Sequence, residues 1–172
     1  MAAIDGSISA TASAGITFSG QMTGDFANPA HSFAATHAIT ISTIGTGTDA
    51  ANQYWSDQRS LSASATETLD LSGSLTNGLG QTVAFTSVKM LYIRNRSTTG
   101  SMVIGNAASN VWATMFGADN DTITIRPGGV FLIACSDATG YAVAAGTDDS
   151  FKIANSDGSN SLTYDIVIVG AQ

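Results

Sequence analysis

A chain of 172 residues with 44% hydrophobic content is the size of one domain and can bury a real core, which argues against general disorder. Only 11% of the residues are charged and the formal net charge is −7, so no basic surface for a phosphate backbone is expected, and nucleic acid is not expected as a partner. Lys89 and Lys152 are the only lysines and Glu67 the only glutamate; Asp, Ser, Thr, Gly, Ala and Asn carry the polar load, residues of turns and strand surfaces rather than of solvent-facing helices.

Residues 1–58 contain neither Lys nor Arg. The opening "MAAIDGSISATASAGITFSGQMTGDFANPAHSF" spaces Ile4, Ile8, Ile16, Phe18, Met22, Phe26 and Phe33 among small residues. It reads either as an arm ordered against a neighbouring subunit or as extra short strands. It has no basic segment and no apolar run of signal length, so synthesis in a cytoplasm is expected. No stretch approaches the length that crosses a bilayer, and no membrane partner is expected.

From His37, "HAITIST" alternates Ile39 and Ile41 with Thr40 and Ser42, the period of a half-buried strand. In "GTGTDAANQYWSDQRS", Asp49 is placed to cap a short helix through Tyr54 and Trp55. "LSASATETLDLS" then sets Leu61, Ala63, Ala65, Leu69 and Leu71 on one face, interrupted only by Glu67. Further strands are predicted over 83–85, 88–95, 102–104, 122–125, 130–135, 141–144, 151–154 and 162–169. Turn signals such as Asn77-Gly78, Pro127-Gly128-Gly129 and Asp157-Gly158 separate them, a spacing that points to a sandwich or barrel. Two runs, "GVFLIAC" and "YDIVIVG", are apolar on consecutive residues. Because one face of a sandwich strand ordinarily meets water, they need a second cover from a central barrel position, an overlying arm or a partner subunit. A subunit contact is expected for at least one.

The chemical motifs reduce to structure. "GTGTDA" at Gly45–Ala50 matches a dinucleotide fingerprint on paper, but no long helix follows to aim its N-terminus at a pyrophosphate, so it reads as a turn. Asp119, Asp121, Asp148, Asp149 and Asp157 offer oxygen ligands without the twelve-residue calcium loop, and turn chemistry is the expectation. His31 and His37 are spaced for no metal motif, and no G-x-S-x-G elbow accompanies them. Thirteen acidic residues can always supply a pair for glycoside hydrolysis, yet nothing singles a pair out. Lone Cys135 excludes an intrachain disulfide and reads as a buried small hydrophobe. Trp55 and Trp112 fall in loop-like segments and are the best aromatic candidates for an interface or a glycan. In Arg126-Pro127-Gly128-Gly129, Pro fixes φ at the first corner and Gly admits the positive φ of the next, so a hairpin turn is predicted, with Arg126 free to pair across a subunit boundary.

The segments "YWSDQRSLSASATETLDLSGSLTNGLGQTVAFTSVKMLYIRN", "IRPGGVFLIACSDATGYAV" and "FKIANSDGSNSLTYDIVIVG" resemble small virion structural proteins of tailed bacteriophages, over roughly residues 50–172. The resemblance implies an all-β, antiparallel jelly-roll-like β-sandwich over residues 50–172; residues 1–49 lie outside it and read, from their own pattern, as an N-terminal arm or extra short strands. It implies a non-catalytic capsid decoration or cement protein without cofactor or metal, acting in the virion. The partners implied are the major capsid protein or other virion proteins and further copies of the chain, with a trimer favoured. Trp55, Arg59, Arg94, Arg96, Trp112 and Arg126 are the candidate interface residues. A tail or baseplate protein and a carbohydrate-binding sandwich module are the rival expectations.

Overall fold

The computed structural model describes residues 10–19, 32–41 and 43–172. Of the positions singled out near the start of the chain, Ile4, Ile8, Met22, Phe26 and His31 lie outside the described residues, as does Ser42 of "HAITIST". Strands β1 (Ala10–Ser19) and β2 (Ser32–Ile41) pair antiparallel, Ala10 opposite Ile41 and Phe18 opposite Phe33, and pair with no other described strand. Short β3 (Thr43–Ile44) and β4 (Ala50–Ala51) form a parallel pair around the expected turn at 45–49.

The remaining strands are β5 (Gln53–Leu61), β6 (Thr66–Asp70), β7 (Leu75–Thr76), β8 (Thr82–Val83), β9 (Ser87–Asn95), β10 (Met102–Gly105), β11 (Thr122–Ile125), β12 (Val130–Ala134), β13 (Tyr141–Ala142), β14 (Ser150–Asn155) and β15 (Leu162–Ala171). They make two antiparallel sheets, β12-β9-β15-β5, with β13 also on β9, and β11-β10-β14-β6; β7 and β8 pair separately. The fold is an all-β sandwich, as the composition predicts. Among the eight main strands only β10 to β11 stays within one sheet; every other connection crosses to the opposite sheet. That order is compatible with a jelly roll.

One core lies between the sheets. Trp55, Leu91, Ile93, Ile166 and Ile168 of the larger sheet meet Leu69, Met102, Ile104, Phe151 and Ile153 of the smaller. Alternation produces this: in β14, Phe151 and Ile153 are buried while Lys152 and Ala154 are half-buried. Buried amides close the ends, with Asn95 Nδ2 donating to Gly100 O and Ile125 O, and Asn155 Nδ2 to Ser62 O and Asn160 O. A bulge between Val169 and Gly170 brings β15 against Ser87 so closely that a Cβ at Gly170 would stand 2.1 Å from Ser87 O.

Three local readings give way to tertiary structure. The helix expected from Asp49 is absent: Asp49 takes a left-handed φ of 54°, and β4 and β5 run where the helix was placed. Trp55 is a strand residue whose ring belongs to the core, and that burial outweighs the capping signal. The single strand expected over 61–71 breaks at 62–65, where Ser64 has φ 57°, and β5 and β6 join different sheets. Arg126-Pro127-Gly128-Gly129 is a turn, with Gly129 N–H on Arg126 O at 2.9 Å and Gly128 at φ 73°, but it is not a hairpin. β11 and β12 lie in opposite sheets, so the turn is a corner between layers.

Trp112 lies in the loop after β10 yet is only 1% exposed, donating from Nε1 to Ala142 O at 2.9 Å and meeting Phe151 edge-on at 5.5 Å. Trp112→Ala is therefore expected to lower unfolding free energy by about 3–5 kcal/mol in a denaturant titration; a loss under about 1 kcal/mol would contradict this placement.

Candidate functional site

The larger sheet turns one face to the core and the other outward, and the described residues cover the outward face only in part. Ladder register sets three rows across it. Ala134, Met90, Val169 and Tyr54 form one; Leu132, Tyr92, Val167 and Ser56 the next; Val130, Arg94, Asp165 and Gln58 the last. At the first row Ile41 packs on Met90 and Val169, with Ala51 beside them. Ile41, at the end of β2, thus covers one end of the face. In the second row Leu132, Tyr92 and Val167 remain half-buried. In the last, Val130 is 53% exposed.

The polar end of this face carries two of the four arginines, Arg94 and Arg96, and Arg126 lies in the corner between the layers. Arg94 is exposed opposite both Val130 and Asp165; Arg96 pairs with Asp165 at 3.0 Å; exposed Arg126 occupies the corner leading into Val130. Burial works against ionisation of Asp165, but hydrogen bonds from Gln58 and Arg96 and the charges of Arg96 and Arg94 hold its carboxyl below the usual value.

The other three candidates lie elsewhere. Trp55 and Trp112, at 2% and 1% exposure, are core residues and reach no surface. Their indole N–H groups bond to Thr76 O and Ala142 O, the partners a buried tryptophan requires. Arg59 stands at the far edge of the sheet in an ion cluster between the layers. Its Nε meets Glu67 Oε2 at 2.6 Å, its NH1 meets Asp57 Oδ2 at 3.0 Å, and Tyr164 donates to Glu67 Oε1 at 2.7 Å. Burial works against the Arg59 charge, but the bonds to Glu67 and Asp57 hold the guanidinium protonated; burial and the bond to Glu67 push the Tyr164 hydroxyl far up. Glu67, an interruption in the sequence pattern, is thus a clip between β6 and the larger sheet.

The acidic residues act mainly in their own turns. Asp137 accepts N–H bonds from Thr139 and Gly140, Asp157 from Ser159 and Asn160, and Asp121 from Ala118. Cys135 is half-buried rather than buried, because it follows the last residue of an edge strand, and burial pushes its thiol pKa up. Lys89, 1% exposed, was not singled out by the sequence: it interrupts an apolar strand, and its ammonium group donates to Asp137 O. An uncharged groove of about 610 Å³ runs beside β5 and the β7–β8 pair, lined by Asn52, Gln53, Tyr54, Asn77, Leu79 and Gln81 among others.

The Asp165 carboxyl titrates lower in the folded chain than in the unfolded one, so its contribution is complete above the unfolded value, about 3.9, and is lost as pH falls through the folded one. Melting temperature is expected to fall more steeply below about pH 4 in the native chain than in Asp165→Asn. Identical acid profiles in a thermal melt would contradict a stabilising Arg96–Asp165 pair.

Compared with models of protein families the chain matches none, and compared with curated proteins it again matches none.

Proposed function

We propose that the chain is a non-catalytic structural protein of a bacteriophage particle, a capsid decoration or cement protein that bridges neighbouring shell subunits. One observation carries this reading. The outward face of the larger sheet holds a half-exposed apolar row, Leu132-Tyr92-Val167, flanked by Val130 and by Arg94 and Arg96. An apolar centre with an arginine-bearing rim is the composition of a protein contact. Two further features support it. A lone two-stranded hairpin is marginal in water, and β1–β2 pairs with no other described strand, so it gains from a neighbour's surface. The −7 net charge suits an outer surface better than one facing packaged DNA. Placement on the tail or baseplate is the near variant of the same reading.

The amide-lined groove favours a second reading. Side-chain amides such as Gln53 and Gln81, beside a Tyr54 ring that is 44% exposed and with no charge in the lining, offer hydrogen bonding and stacking to a neutral saccharide.

Purified chain is expected to join capsids lacking it in fixed stoichiometry and to raise the temperature at which they release DNA. Arg94→Glu together with Arg126→Glu should weaken that joining about tenfold or more. Failure to join any particle component, with unchanged release temperature, would contradict the proposal. Glycan binding by the isolated chain, lost in Tyr54→Ala, would favour the second reading instead.

A further inference from the structure

Besides two-residue β13, which follows β12 along β9, the described sandwich has four edge strands, and three carry polar protection. In β5, Asp57 Oδ1 accepts the N–H of Gln58 at 2.8 Å, and Arg59 adds charge; β6 carries Glu67 and Asp70; β11 exposes Thr122 and Thr124. The fourth, β12, reads Val-Phe-Leu-Ile-Ala, with no charge, hydroxyl, glycine or proline, and every residue is exposed or half-exposed.

The free backbone groups of β12 can be assigned. Asn95 N–H bonds Gly129 O and Cys135 N–H bonds Lys89 O, each at 2.9 Å. In an antiparallel ladder alternate residues face the same neighbour, so Phe131 and Ile133 bond to β9. Val130, Leu132 and Ala134 therefore turn N–H and C=O to the open edge, and no described residue bonds to them there.

We propose that β12 pairs antiparallel with β12 of a second copy, about a twofold axis through Leu132. That register sets Leu132 opposite Leu132, Val130 opposite Ala134 and Phe131 opposite Ile133. Val130, Leu132 and Ala134 of each strand then donate to the other, so every outward group is satisfied. It also extends the half-exposed Leu132-Tyr92-Val167 row across the join, giving Leu132 an apolar neighbour. β12 carries no charge, so two chains of net charge −7 meet along it without confronting acid with acid. Asp49 N–H bonds Ser136 O at 2.8 Å beyond the strand, so the pairing ends at Ala134. The contact is independent of the particle reading, since it belongs to the purified chain. It is twofold, so the trimer expected from the resemblance needs a different surface.

A five-residue edge is small beside a standard interface of about 1,600 Å², so the dimer is expected to come apart on dilution. Sedimentation of the native chain over a concentration series should reach twice the single-chain mass. Leu132→Lys, which places two ammonium groups on the axis, should stay at single-chain mass with unchanged circular dichroism. In a Cys135→Ser background, Leu132→Cys should give a disulfide-linked dimer on mild oxidation, because a hydrogen-bonded pair sits about 5.5 Å apart at Cα, while Ser56→Cys should not. A native chain that stays single at every concentration overturns the proposal. An oligomer whose mass is untouched by Leu132→Lys, with no Leu132→Cys link, overturns it as well.

Discussion

An open antiparallel sheet has two faces and two edges, and each must be met by core, water or a neighbour. In this chain the inner face of the larger sheet is met by the smaller sheet across a continuous core. Its β5 edge is met by its own side chains, with the Asp57 carboxylate on the Gln58 N–H and Arg59 held between Asp57 and Glu67. What remains is the outward face around Tyr92 and the edge along β12, which meet at Leu132. The functional reading follows from that remainder.

The chain invests its few charges elsewhere. Arg59 and Glu67 fasten the two layers beside Tyr164, Arg96 holds Asp165, and buried Lys89 holds the loop carbonyl of Asp137. Among the described residues, most remaining acids and several Asn and Ser side chains bond to N–H groups of their own turns, as Asp137 and Ser97 do. A surface maintained in this way is polar without dense charge, so lysine and glutamate, the usual guards of a sheet edge, are scarce and β12 has none.

Much of the fold was legible in the sequence. β11 falls on the predicted 122–125, and β9 begins one residue earlier than predicted, because alternation and turn residues are local signals. Arg126-Pro127-Gly128-Gly129 was legible as a turn but not as a corner, since proline and glycine specify a reversal and not the sheet that receives the next strand. The helix expected at Asp49 failed because a capping residue weighs less than the burial of Trp55. The site was less legible for a similar reason. Tryptophan is a good interface residue by chemistry, yet Trp55 and Trp112 fill the core, while Arg94 and Arg96 share one face and Arg126 lies in a corner. The apolar run at 130–135 announced surplus surface, but periodicity cannot tell an edge strand from a central one, and only the ladder shows that Val130, Leu132 and Ala134 face outward.

Amide hydrogen exchange along β12 is the most direct test of whether a neighbouring chain completes the larger sheet. In the associated protein the N–H groups of Val130, Leu132 and Ala134 should be as protected as those of Phe131 and Ile133, and dilution should release the first three alone. If those three exchange as open amides at every concentration, and also when the chain is presented with a phage particle, the sheet ends at β12 and the account is wrong.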